Sequence, residues 1–237
     1  MKPTPKRRLL PAFALLTIAV GAYASTATAL STIGDPKTDE PKKEEPKKGE
    51  VKKDEAWPTA ESGTKAEIGK LAIDFTLKDI DGKDVKLSSF KGKTIVLEWF
   101  SPGCPACKFA YGKDGPLKEQ HARLTKEGVV WLSMNSEDSA RPASTVEANK
   151  AFLEKYKVDP RIVLDPSGSV GKAYGAKTTP HMFVIDAKGM LIYQGALDNA
   201  PGGEVEKDAK LINYVDAALK EVAAGKPVTT PKTTSYG

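Results

Sequence analysis

The stretch that decides the fold is Glu98–Tyr111, EWFSPGCPACKFAY. It carries Cys104 and Cys107, the two cysteines of the chain. The run KTIVLEWF, Lys93 to Phe100, leads into it and reads as a strand buried on both faces. From Cys104 to about Leu124 the residues take on helix character, with Gly112 and Gly115 as points of interruption. The cysteines therefore fall where a buried strand ends and a helix opens. Pro105 suits the first helical turn, where a missing N–H costs nothing. Unpaired N–H groups and the helix dipole favour a thiolate at such a position. Cys104 is expected to be the exposed nucleophile, and Cys107, one turn further in, the thiol that resolves a mixed disulfide. Glu98 is an acid inside the apolar run, which is costly unless the carboxyl is neutralised or used. Six residues before Cys104, it is placed to hold a raised pKa and to move a proton for Cys107.

Two other uses of the pair fit less well. A disulfide across two residues closes a tiny loop, the kind that stabilises least. Tetrahedral zinc would need two further ligands, and His121 and His181 lie far apart with no zinc-finger spacing.

Working outward, the chain has 237 residues and a formal charge of +5. Lys2, Lys6, Arg7 and Arg8 account for most of that excess, so no basic face for nucleic acid is indicated. Residues 1–29 have a basic start, an apolar run from Leu9 to Val20 and the A-x-A site Ala27-Thr28-Ala29, the pattern of a secretory signal peptide. Left uncleaved, the segment would instead tether the protein to a membrane. Either way the expected location is periplasmic or otherwise extracytoplasmic, where disulfides persist. Residues 30–65 are rich in Lys, Glu, Asp and Pro and read as a disordered linker, in which Trp57 is a lone aromatic. Residues 66–224 form the compact domain, and 225–237 a polar, flexible tail.

Within the domain, LAIDFTLKDIDGKDVKL reads as a hairpin turning at Asp81-Gly82. GVVWLSMN and RIVLD read as strands, STVEANKAFLEKYKV as an amphipathic helix, and SGSVGKAYG as a short helix. HMFVIDAKGMLIYQGAL reads as a hairpin turning at Ala187-Lys188-Gly189, and EVEKDAKLINYVDAALKEVAAG as a final helix closed by Gly225. The order β-β-β-α-β-α-β-α-β-β-α predicts an α/β protein, a three-layer α/β/α sandwich on a mostly parallel sheet with an antiparallel edge. Thr179-Pro180 stands at the mouth of the strand that starts near His181, where an X-Pro bond is tolerated and can be cis.

Taken together, the acid, the C-x-x-C and the Thr-Pro before a strand resemble the thioredoxin superfamily. The resemblance is to its exported redoxin branch, the TlpA/ResA type of thiol-disulfide oxidoreductase, related to the AhpC/TSA peroxiredoxins. It covers about Ile68 to Leu219 and rests on DIDGKDVKLSSFKGKTIVLEWFSPGCPAC and VLDPSGSVGKAYGAKTTPHMFVIDAKGMLIYQG. It implies a thioredoxin-like fold with an N-terminal β-hairpin and a helix-bearing insertion from about Ser136 to Val158. It further implies that Pro180 is cis beside the cysteines, that the Thr179 backbone binds the substrate chain, and that Glu98 is the buried proton acceptor. No cofactor and no metal are expected. The implied partners are protein thiols and disulfides and an electron-donating thiol protein. Gly103 departs from the Trp common before the first Cys, which leaves partner choice open. His181 is expected to be a strand residue rather than a catalytic one. A peroxiredoxin is the first alternative; its P-x-x-x-T/S-x-x-C motif is met by Ser101 but not at Leu97. A redox-inert or copper-binding scaffold of the same fold is the second.

Overall fold

The computed structural model describes residues 56–60 and 63–237. The expected signal peptide and most of the expected linker lie outside the described residues. In chain order the domain has β1 (Thr76–Asp79), β2 (Asp84–Lys86), β3 (Ile95–Trp99), α1 (Pro105–Ala110), α2 (Pro116–Lys126), β4 (Val130–Asn135), α3 (Val146–Tyr156), β5 (Arg161–Leu164), α4 (Ser169–Tyr174), β6 (His181–Ile185), β7 (Leu191–Gly195) and α5 (Tyr214–Ala223). The strands form one mixed seven-stranded sheet in the order β2-β1-β5-β4-β3-β6-β7. The central pairs β3–β4 and β4–β5 are parallel; the outer pairs are antiparallel. The α/β class and the thioredoxin-like sheet are as expected, but the sheet is not mostly parallel: the hairpins at both ends of the chain add antiparallel strands on either side of the β3-β4-β5 centre, so four of the six strand pairs are antiparallel.

The two-residue period of a strand sorts β3 cleanly. Ile95, Leu97 and Trp99 face one core with Phe183, Tyr174 and Met134. Val96 and Phe100 face the other with Cys107, Tyr111, Trp131 and Phe152. All five residues of β3 are buried, so its alternation sets no solvent face. It does set which core each side chain enters, and Glu98 enters the one that holds Cys107.

The helical stretch from Cys104 to about Leu124 is interrupted at its glycines, as expected, and forms two helices. Gly115 is the reason. A Cβ there would stand 2.1 Å from the Phe109 carbonyl oxygen and 2.4 Å from that of Ala110. Glycine lets the chain fold back tightly at this point, and Pro116 then starts α2. The last helix is also shorter than the sequence pattern: Asn213, bridged to Asp198, caps it by accepting the Asp216 N–H at 2.9 Å.

Two domain boundaries move. Trp57, expected in the disordered linker, is buried in the first core. It rests on the β6–β7 turn, where a Cβ at Gly189 (φ +87°) would come within 2.2 Å of its indole. Pro58 accepts the Asp74 N–H at 2.6 Å, so the domain begins before residue 66. The tail expected to be flexible is docked: Gln194 donates to Pro231 O at 3.0 Å, and Thr233 donates to Gln194 O at 3.1 Å. A polar composition says little about a segment whose backbone finds a sheet edge to pair with.

Candidate active site

Cys104 caps α1 and Pro105 occupies its first turn. Cys107 lies within the helix and is fully buried, whereas Cys104 is partly exposed. The two are free thiols here. The Cys104 thiol donates to the Thr179 carbonyl at 2.9 Å. The Thr179–Pro180 peptide bond is cis, and Pro180 is buried beside β6. Residues 104, 107, 179 and 180, widely separated in sequence, thus meet at one point.

The two thiols are driven apart electrostatically. Hydrogen bonding with Cys107 brings the Cys104 thiol down to about 5; Thr179 and the N–H groups of Cys107 and Ala106 add to this, while burial opposes it. Burial pushes the Cys107 thiol well up, reinforced by its hydrogen bond to Cys104 and by the charge of Glu98. The arrangement thus favours loss of the proton from Cys104 and its retention on Cys107. Alkylation of reduced protein by iodoacetamide at Cys104, followed by peptide mapping, should rise through about pH 5 and level off near neutrality. A midpoint near the ordinary cysteine value of about 8.5 would contradict this.

Glu98 is fully buried, and its charge acts on Cys107. Three donors converge on Oε2: the Tyr111 hydroxyl at 2.5 Å, the Ser133 hydroxyl at 2.8 Å and the Trp131 indole N–H at 2.9 Å. Oε1 is buried with no hydrogen-bond partner. Burial raises the Glu98 pKa, and the three donors only partly offset it. Because Oε2 is saturated with donors, Oε1 is the atom left to take a proton.

Sequence reasoning does not single out Tyr111, Trp131 or Ser133, although their signal is present. Trp131 and Ser133 alternate on the strand next to β3, and Ser133 is the register partner of Glu98. Tyr111 follows directly on α1, one turn past Cys107, and its hydroxyl is pushed up by burial and by the Glu98 charge, so it donates.

Other singled-out residues take supporting places. His181 opens β6; burial, then the Lys177 charge, lowers it to about 4, and its neutral Nδ1 accepts the Lys177 N–H at 3.2 Å. The Ser101 hydroxyl accepts the Gly103 N–H at 3.1 Å, holding the turn before Cys104. A Cβ at Gly103 would sit 3.2 Å from the Ala143 Cβ. The glycine lets the insertion's turn close in, and with α3 it bounds a groove of about 650 Å³ on one side of Cys104. A second cleft of about 470 Å³ lies on the other side, lined by Trp99, Ser136, Lys177 and Thr179.

A buried acid, a C-x-x-C at a strand-to-helix junction and a cis-proline on the adjoining strand define a thioredoxin-like redox protein. Residues 68–194 match the AhpC/TSA family, and the chain belongs to it. The chain is similar to the thiol-disulfide oxidoreductase ResA of Bacillus thuringiensis subsp. konkukian, at 30% identity over 55% of this chain and 70% of that one. It is also similar to the chloroplastic peroxiredoxin Q of Triticum aestivum, at 32% identity over 54% of this chain and 58% of that one. Among solved structures, a hypothetical protein of Sinorhizobium meliloti 1021 matches with a TM-score of 0.62 and 29% identity, over 73% of this chain and 93% of that one.

Proposed function

We propose that the chain is an extracytoplasmic thiol-disulfide oxidoreductase acting on partner proteins through Cys104 and Cys107. The observation that carries the reading is the split between the two thiols, Cys104 brought down to about 5 and Cys107 pushed well up, with the charge of one buried carboxyl acting on Cys107. The Cys104 thiolate attacks a partner disulfide. One S–S bond breaks, a mixed disulfide forms and a partner thiolate leaves. Cys107 gives its proton toward Glu98 and attacks the Cys104 sulfur. The Cys104–Cys107 disulfide forms and the second partner thiolate is released. Two electrons have moved to the partner, and a dithiol protein must return them before the next cycle. Every step is a reversible exchange, so the same residues can run as an oxidant. Thr179 and Pro180 lie where a partner segment would be held against the pair.

The location rests on the pattern of residues 1–29 and on a chemistry suited to an oxidising compartment. Disulfides that must be reduced to thiols before haem attachment in cytochrome c are one substrate class for a reductant of this kind, and general protein disulfides are the other.

A peroxide-consuming reading is favoured by the similarity to peroxiredoxin Q. Against it, the Ser101 hydroxyl is engaged by the Gly103 N–H, and Leu97 stands at the motif's proline position. Insulin-disulfide reduction and hydrogen peroxide consumption, measured on the same reduced protein, should favour the disulfide by at least about tenfold in second-order rate. Faster Cys104-dependent peroxide turnover would move the assignment to a peroxidase.

A further inference from the structure

The segment from Pro231 to Gly237 has a path that ends at the site. It pairs in parallel with β7, the outermost strand of the sheet, through the Gln194 and Thr233 hydrogen bonds. The Thr233 hydroxyl oxygen accepts the Ala196 N–H at 2.8 Å and lies 2.7 Å from the Tyr193 hydroxyl. Further on, the Tyr236 hydroxyl donates to the buried carboxylate of Asp198. The chain then reaches Thr179. A Cβ at Gly237 would lie 2.2 Å from the Thr179 oxygen and 2.7 Å from its carbonyl carbon, so the backbones are in direct contact. Gly237 lines the same cleft as Cys104 and Thr179.

We propose that residues 231–237 are an internal occupant of the surface that receives a partner's extended segment, and that a partner must lift their end from Thr179 before its disulfide meets Cys104. The inference rests on the thiol-disulfide reading above and adds to it what the site must release. Addition of an extended segment to a sheet edge is a recognised way to bind a peptide, and here the protein's own chain does it. Tyr236 on Asp198 is the anchor nearest the site. Glycine at 237 is what permits the approach to Thr179, since any side chain would collide with that carbonyl. An occupant in cis lowers the apparent affinity for a competing segment by the fraction of molecules in which it has lifted. A small disulfide that touches only the Cys104 sulfur escapes this competition.

The test uses the full chain, its Tyr236→Phe variant and its Gly237→Ala variant. Each is assayed with a disulfide-bonded extended peptide and with the small aromatic disulfide 5,5′-dithiobis(2-nitrobenzoate). Both variants should lower KM for the peptide by roughly three- to tenfold with kcat unchanged, because one hydrogen bond to a carboxylate, or one backbone contact, is lost from the occupied state. The rate with the small disulfide should not change. In parallel, a fluorescent peptide with Ser in place of Cys is titrated onto the same variants in a Cys104→Ser, Cys107→Ser background. It should bind more tightly once the anchor is removed. Tighter binding without turnover in any version would uphold the occupant and refute the exchange reading. Unchanged KM and unchanged binding, with normal turnover, would overturn the occupant and leave the exchange reading intact. A slower reaction with the small disulfide would show that the segment supports the site rather than covering it, and would also overturn the proposal.

Discussion

Cys104→Ser should abolish reduction of insulin disulfides, a loss of at least about 10³-fold, while Cys107→Ser should accumulate a covalent mixed disulfide. The first effect follows from which sulfur is available. Cys104 is the partly exposed, ionised thiol, and Cys107 is buried with its proton held. A serine hydroxyl supplies no nucleophile at neutral pH, and the buried Cys107 cannot reach a partner in its place. The second effect follows from the order of steps. With Cys107 absent, the first exchange still occurs but nothing resolves it. Mass spectrometry of acid-quenched mixtures should show the partner attached at Cys104. Equal activity in Cys104→Ser, or trapping through Cys107 in that variant, would contradict the assignment of roles. Removing Cys107 also removes the hydrogen bond that contributes most to ionising Cys104. The midpoint for alkylation of Cys104 should therefore rise in Cys107→Ala, which leaves no donor in its place.

Glu98→Gln should slow resolution of the mixed disulfide by roughly 100-fold at pH 7, the lower part of the range for a positioned general base. Two effects oppose each other in this variant. Neutralising position 98 removes a charge that helps to hold the Cys107 proton in place, which alone would speed the step. It also removes the acceptor of that proton. The charge of Glu98 is a smaller influence on Cys107 than burial or the bond to Cys104, so loss of the acceptor dominates and the rate falls. A faster variant would show that Glu98 acts only through its charge. The pH profile separates the cases further. Glu98 must be ionised to accept, so the parent rate should fall as pH drops through a value above the ordinary carboxylate range, and that limb should vanish in Glu98→Gln. Stability supplies a folding control with a definite sign. The Glu98 pKa is higher folded than unfolded, so its ionisation costs stability progressively as pH rises above the unfolded value of about 4.3. Glutamine does not ionise, although it sets two N–H donors where Oε1 has no partner, so the fall in stability with rising pH that Glu98 causes should be absent from the variant's Tm profile.

Much of the fold and the cysteine site is legible in the amino-acid sequence. Strand period, an apolar run of the right length and a C-x-x-C are local signals, and they locate β3, α1, β4 and the closing hairpin. What stays hidden depends on contacts between distant parts of the chain. Trp57 sits in a charged segment that gives no sign of the Gly189 turn on which it rests. The tail is polar, yet its backbone completes a sheet edge, and backbone pairing leaves little trace in composition. The donors around Glu98 come from β4 and the end of α1, and only the register of β3 against β4 brings Ser133 opposite the acid. The glycines at 112 and 115 mark an interruption between α1 and α2. Its cause, close packing of Gly115 on two carbonyls, is a contact that exists only in the folded chain.

The central claim is that Cys104 and Cys107 form a reversible two-electron couple matched to protein disulfides. Equilibration of the protein in a series of thiol-disulfide redox buffers, with acid quenching and intact-mass analysis, tests it most directly. The account predicts one reversible transition between a dithiol and a form lighter by two hydrogens. Its midpoint should lie within the span of about −270 to −120 mV that C-x-x-C proteins occupy, and its position says whether the protein donates or accepts electrons. No intramolecular disulfide under any buffer, or oxidation that buffer thiols cannot reverse, would contradict it.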